Sequence, residues 1–116
     1  MALRNPNLQE ALSNSRLAKV SKLIQEAMRR LSVGDQRVSF AFKDCLRAAR
    51  EGAVESLIVA DKIFSQRSVE EDEIVELLNS VEEYRGETFL LDSTTDLGAQ
   101  VNTLGGVLGL LRFATK

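Results

Sequence analysis

Ser56-Leu57-Ile58-Val59-Ala60, set between Glu55 and Asp61, is a continuous apolar run rich in branched side chains. A short run of this kind bounded by charge reads as a strand covered on both faces. Downstream of it, Ile74, Leu77, Leu78 and Val81 recur at helical spacing and Arg85-Gly86 closes the pattern. Thr88-Phe89-Leu90-Leu91 reads as a second buried strand. Leu97, Val101 and Leu104 mark a short helix that Ser93 or Thr94 can cap and Gly105-Gly106 ends. Val107 to Phe113 is a final strand. Strand–helix–strand–helix–strand with short connections predicts parallel strands joined by right-handed crossovers.

Upstream, Asn5-Pro6 reads as a helix start, because Asn caps free amides and Pro lacks the hydrogen that would go unpaired there. Ser13-Asn14-Ser15 is a point where the helix can be recapped. Leu17, Val20, Ile24, Ala27, Met28 and Leu31 then form one apolar stripe, and Gly34 ends it. Arg37 to Phe42 alternates as a short strand or extended lead-in. Residues 43–51 return to helix formers, with Gly52 as a stop. The expected fold is a three-layer α/β/α sandwich with a mostly parallel or mixed sheet of about four strands, preceded by a long N-terminal helix. Residues 1–116 read as a single domain, with 1–15 as an N-terminal extension or linker.

Ser68-Val69-Glu70-Glu71 has the spacing of a capping box, in which the Ser hydroxyl and the Glu carboxylate satisfy reciprocal amides. The acidic run Glu70 to Glu73 then falls in a first helical turn, where the helix dipole favours anions. Adjacent carboxylates without Asn or Gly at loop spacing do not resemble a calcium loop.

The chain has 116 residues and a net charge of -2 that hides a split. Residues 1–50 hold ten Lys/Arg against four Asp/Glu, and residues 51–116 hold five against thirteen. Arg16, Lys19, Lys22, Arg29 and Arg30 lie off the apolar stripe, so the basic half reads largely as the solvated back of one helix. There is no histidine. That excludes Ser-His-Asp and Cys-His nucleophilic sites, histidine acid/base chemistry and nearly all catalytic zinc sites. The single cysteine, Cys45, makes no internal disulfide or metal cluster and reads as a buried thiol in a reducing compartment. The N-terminus has no apolar signal-peptide core, and the longest weakly polar stretch, Leu104 to Leu111, is too short to span a bilayer. These features point to a soluble, cytoplasmic domain without a membrane partner.

Gly105-Gly106-Val107-Leu108-Gly109 invites comparison with a phosphate loop, but such loops run strand, glycines, helix. Here the glycines follow a helix and precede a strand, which makes them a cap and a turn. Asp61, Asp92 and Asp96 lie near the carboxyl ends of the expected parallel strands, where ligands often bind in α/β sheets. Without a base or a metal-ligand set beside them they read as caps. No enzyme, metal or cofactor is expected.

Three segments in register resemble the C-terminal domain of the Pelota family, ribosome-rescue relatives of the class 1 peptide-chain release factors. Glu51-Gly52-Ala53-Val54-Glu55-Ser56-Leu57-Ile58-Val59-Ala60-Asp61 is similar to the family's Gly-Ala-Val-Glu-Thr-Leu-Leu-Ile-Ser-Asp. Leu104 to Phe113 is similar to its closing Gly-Gly-Ile-x-x-Ile-Leu-Arg-Phe/Tyr. Asn5-Pro6 and the helix through Leu31 resemble its Asp-Pro lead-in. Release factors of this class carry an inserted minidomain after the first core strand, whereas here only Lys62 to Arg67 separate Asp61 from the capping box. The chain departs from the family's Phe/Tyr-Tyr-Gly-Leu at Ser39-Phe40-Ala41-Phe42, and from its Gly-Glu-Gln at Gly98-Ala99-Gln100. Those departures bear on any partner contact that uses the missing Tyr, Gly or Glu.

The resemblance implies a protein-interaction domain acting in rescue of stalled ribosomes and no-go mRNA surveillance. Its implied partners are the ribosome, a translational GTPase of the elongation-factor type and the ribosome-splitting ABC-type ATPase. The partner face is expected around Phe40, Lys43, Asp61, Gly98 and Gln100, all near element ends. The alternatives are an RNA-binding domain of the ribosomal-protein-like α/β class, and the C-terminal domain of a class 1 release factor. Against RNA stand the lack of an arginine-rich run, the few aromatics and a pI of about 5.2. No direct sequence-specific nucleic-acid binding is expected.

Overall fold

A computed structural model of the chain describes residues 4–65 and 70–114, with side chains described from residue 17 onward. The elements in chain order are α1 (Arg4–Val33), β1 (Val38–Phe40), α2 (Phe42–Arg50), β2 (Val54–Ala60), a 3-10 turn (Asp61–Ser65), α3 (Glu71–Glu83), β3 (Glu87–Leu91), α4 (Asp96–Thr103) and β4 (Val107–Leu111). The strands form one sheet in the order β1-β4-β2-β3. β2 and β3 are parallel, and β4 runs antiparallel to both β1 and β2.

The quoted run is the centre of the molecule. Along β2, Leu57 and Val59 enter a core with α2 and α3, while Ile58 and Ala60 enter a second core with α1 and α4. β4 divides the same way, with Val107 and Leu111 on one side and Leu108 and Leu110 on the other. Helices therefore cover both faces of a mixed sheet, and period-two alternation sorts one apolar run into two cores. Fully buried side chains such as Leu57 and Ile58 each contribute roughly 2–3 kcal/mol by leaving water.

The final strand is the first departure from expectation. An eight-residue α4 spans only ~12 Å, less than the length of a five-residue strand. It packs on the α1 face near the end where β2 and β3 finish and does not carry the chain back along the sheet. β4 then starts at that end and runs antiparallel. β3 departs too: it is an edge strand with only Phe89 and Leu91 buried, while Leu90 is 59% exposed.

α1 runs unbroken through Ser13-Asn14-Ser15, so no recapping occurs there. Val20, Ile24 and Ala27 of its stripe are buried, whereas Leu17 and Leu31 are exposed where the helix overhangs the sheet. Arg30 is not part of a solvated back. It donates to the carbonyls of Arg37 and Leu111 at 2.7 and 3.3 Å and so clamps α1 to β4. α3 begins at Glu71 with extended Glu70 in the cap position, two residues beyond the Ser68 of the expected capping box; Ser68 and Val69 lie outside the described residues.

The four described α-helices close alike, with a backbone N–H two or three residues past the helix donating to the carbonyl five residues before it. The bonds are Asp35 to Arg30, Ala53 to Ala48, Gly86 to Val81 and Gly106 to Val101. The residue before each donor sits at positive φ: Gly34, Gly52, Arg85 and Gly105. Arg85 is the one non-glycine. Its neighbour Gly86 is committed to packing, because a Cβ there would come 2.6 Å from the Val54 carbonyl.

Candidate functional site

One end of the sheet gathers the exits of β1, β2 and β3, the entry to β4 and the first turns of α2 and α4. Backbone bonds stitch it together. The Ala60 N–H donates to the Gly106 carbonyl at 2.9 Å, and the Ala41 N–H donates to the Val107 carbonyl at 3.1 Å. Asp61 joins β2 to β3: its Oδ1 accepts from the Ser93 N–H at 3.1 Å and from Ser93 Oγ at 2.5 Å. Ser93 Oγ in turn accepts from the Lys62 N–H at 3.3 Å.

The loop into α4 is held by its own side chains. Asp92 Oδ1 accepts from the Thr94 N–H and hydroxyl at 2.9 and 2.7 Å, which holds its carboxyl below the ordinary value. Thr95, not Ser93 or Thr94, caps the helix. Its Oγ1 accepts from the Gly98 N–H at 3.1 Å while donating to the Asp92 carbonyl at 2.6 Å. Ser93 is occupied by Asp61 and Thr94 by Asp92, so neither is free to cap.

Each of the five expected site residues can now be located. Phe40 ends β1 and is 42% exposed, with Lys43 exposed as the second residue of α2. Asp61 stands at the end of β2, tied to Ser93. Gly98 is buried, and a Cβ on it would overlap the Asp92 carbonyl oxygen. Gln100 is exposed half a turn beyond Gly98. The structure thus brings Phe40, Lys43, Asp61 and Gly98 to one end of the sheet, with Gln100 exposed on α4 above it. Ser93, the hub of the Asp61 contacts, was not legible: its partner lies 32 residues away and no local pattern marks it.

Ala41 is the strained point of this edge. Its φ of 71° and ψ of 152° belong to a region that is essentially glycine's, at a cost of about 1–3 kcal/mol for another residue. The family glycine that Ala41 replaces is the residue this backbone favours. The strain is locked in from outside, since Gly105 abuts Ala41 so closely that a Cβ on Gly105 would lie 2.9 Å from the Ala41 Cα.

Among the described residues no three His, Cys, Asp or Glu side chains cluster as a metal site. Cys45 is buried against Ser39, and burial pushes its thiol up to about 12, far from a reactive thiolate. No described helix is long and apolar enough to cross a membrane. The basic half is not a bare patch either, because Lys19 pairs with Glu87 and both Arg29 and Arg30 pair with Glu26, each at 2.7 Å.

A mixed four-stranded sheet with these connections is the fold of the C-terminal domain of release-factor-like proteins. The family described as eRF1 domain 3 matches residues 17–115, and the chain belongs to that family. Within it the resemblance is to Pelota, whose C-terminal domain this chain matches. The pelota homolog of Methanopyrus kandleri is 31% identical over 113 residues, covering 97% of this chain and 32% of that protein. The crystal structure of Archaeoglobus fulgidus Pelota superimposes with a TM-score of 0.80 at 28% identity, over 92% of this chain and 33% of that one. A ribosome-bound archaeal Pelota with ABCE1 gives 0.76 at 26% identity, over 98% of this chain and 31% of that one. The chain spans about a third of the length of the proteins it matches.

Proposed function

We propose that this chain is the non-catalytic, partner-docking module of a Pelota-type factor that acts in the cytoplasm on stalled ribosomes and in no-go mRNA surveillance. The observation that carries this reading is the match of nearly the whole chain to the C-terminal domain of Pelota, including a relative bound to the ribosome with ABCE1. The connection after β2 supports Pelota over the class 1 release factors. It is one 3-10 turn, and α3 opens by Glu71, so no minidomain intervenes.

The proposed partners are a translational GTPase of the elongation-factor type, the ribosome-splitting ABC-type ATPase and the ribosome itself, with no direct sequence-specific contact to nucleic acid. The proposed docking edge is the end of the sheet just described. Phe40, Lys43 and Gln100 present side chains to a partner. Asp61 and Gly98 fix the backbone that presents them. Calorimetry of the chain against the cognate GTPase and the ABC-type ATPase, alone and fused to the preceding part of a Pelota relative, tests the proposal. Binding weakened about tenfold by Phe40→Ala or Lys43→Glu supports it. Failure to bind either protein in both formats overturns it.

A further inference from the structure

The opposite end of the sheet, where β2 and β3 begin and β4 finishes, carries a cleft of about 440 Å³ beneath α1. Its floor is apolar, made by Leu23 of α1 and Leu110 of β4, with Ser56 of β2 beside them. A β-bulge opens this end: Val54 pairs with Leu111 and Ser56 with Leu110, leaving Glu55 as an extra residue on the rim.

The charges around the cleft are unevenly satisfied. Glu26 is held by Arg29 and Arg30, and Glu87 by Lys19. Arg85 and Arg112 line the same cleft, yet among the described residues neither makes an ion pair. Arg112 donates to the Tyr84 carbonyl at 2.6 Å, which holds its guanidinium beside the peptide that leads into Arg85. Glu55 is the lining carboxylate left over, so two guanidinium groups face one free carboxylate.

Arg85 is also kept where the backbone favours another residue. It occupies the positive-φ position that glycine fills at the other three helix ends, at φ 66°. Its side chain forms no hydrogen bond or ion pair with the described residues that would explain an arginine there. Strain retained without an internal partner points to an external one.

We propose that this cleft docks an acidic peptide segment of a partner protein in which carboxylate and apolar side chains alternate. A carboxylate accepts paired N–H bonds from Arg85 and Arg112, and the neighbouring apolar side chain rests on Leu23 and Leu110. A peptide with spaced carboxylates can set one on the two arginines and turn an apolar side chain toward the Glu55 rim and the Leu23–Leu110 floor, whereas a continuous phosphate backbone brings charge against Glu55 and leaves that floor uncovered, which favours peptide over RNA. The proposal does not rest on the docking edge at the far end of the sheet.

The probe is a dye-labelled, end-capped seven-residue peptide alternating Glu and Leu, titrated into the whole chain by fluorescence anisotropy. The expected result is saturable binding that weakens about tenfold when Gln replaces Glu in the peptide, and by a similar factor with Arg85→Gln. Arg47→Gln, an exposed arginine on α2, serves as the control for general loss of charge. Arg85→Gly separates roles: it weakens the peptide while raising the melting temperature, a split that a purely structural arginine does not give. No saturable binding below ~1 mM, equal affinity of Arg85→Gln and the unaltered chain, or displacement of the peptide by oligouridylate each overturns the proposal.

Discussion

At the carboxyl end of the sheet, backbone meets backbone. Gly98 lies on the Asp92 carbonyl, Gly105 on Ala41, and Gly106 bonds Ala60. At the amino end, long side chains do the joining: Lys19 to Glu87, Arg30 to Leu111, Arg112 to Tyr84. The first end has little freedom to adapt, so it offers a shaped surface with few projecting groups. The second end can rearrange its arginines and carboxylates, which suits a charged guest. The family motifs quoted from the sequence reach both ends: Gly98 and Gly105-Gly106 stand at the rigid one, and Glu55 and Arg112 at the adaptable one.

This contrast can be broken by substitution, beginning where the effect is largest. Gly98→Ala pushes a methyl into the Asp92 carbonyl and is expected to destabilise the fold by roughly 2–3 kcal/mol in urea unfolding. A loss below ~0.5 kcal/mol would mean that α4 is not seated as described. Ala41→Gly relieves a backbone strain at the same end and is expected to add about 1 kcal/mol, after the greater chain entropy of glycine is subtracted. Unchanged stability would show that residue 41 does not occupy the positive-φ conformation. Arg85→Gly is the matching change at the amino end, with an expected gain of ~0.5–1 kcal/mol in thermal melts.

The smallest effect is electrostatic. Hydrogen bonds from Arg29 and then Arg30 lower the Glu26 carboxyl from 4.5 to about 2. Because its folded value lies below the unfolded one, the stability it lends is full above the ordinary carboxylate range and drains away as pH falls toward 2. Asp35, Glu76 and Asp92 shift in the same direction. The chain should therefore lose stability progressively in acid. Glu26→Gln should flatten part of that slope and change stability near neutral pH only slightly, since solvent reaches the Glu26 carboxylate and screens it. A slope unchanged by the substitution would remove Glu26 from the account.

Most of the element list was legible because each element carries a strong local signal. β2 announces itself by an apolar run between charges, the middle of α1 by a stripe, and three helix ends by glycine. The errors have local causes as well. Thr95 took the cap from Ser93 and Thr94 because Asp61 and Asp92 had already engaged them. Leu90 reads as core by its hydrophobicity, yet β3 is the last strand and has only one covered face. Among the candidate site residues, Asp61 and Gly98 stood out by motif, but their duties as a strand tie and a packing contact depend on Ser93 and Asp92.

Local chemistry by itself determined the alternation of helices and strands, the absence of histidine chemistry and the family to which the chain belongs. Propensity, capping and periodicity act over a few residues, and a sequence states them outright. The direction of β4, the strain at Ala41 and the paired arginines over the cleft were decided only by the tertiary structure. Each is a contact between segments far apart in the chain. A short α4, a neighbouring turn and a bulged strand set those contacts, and no local pattern records where such pieces meet.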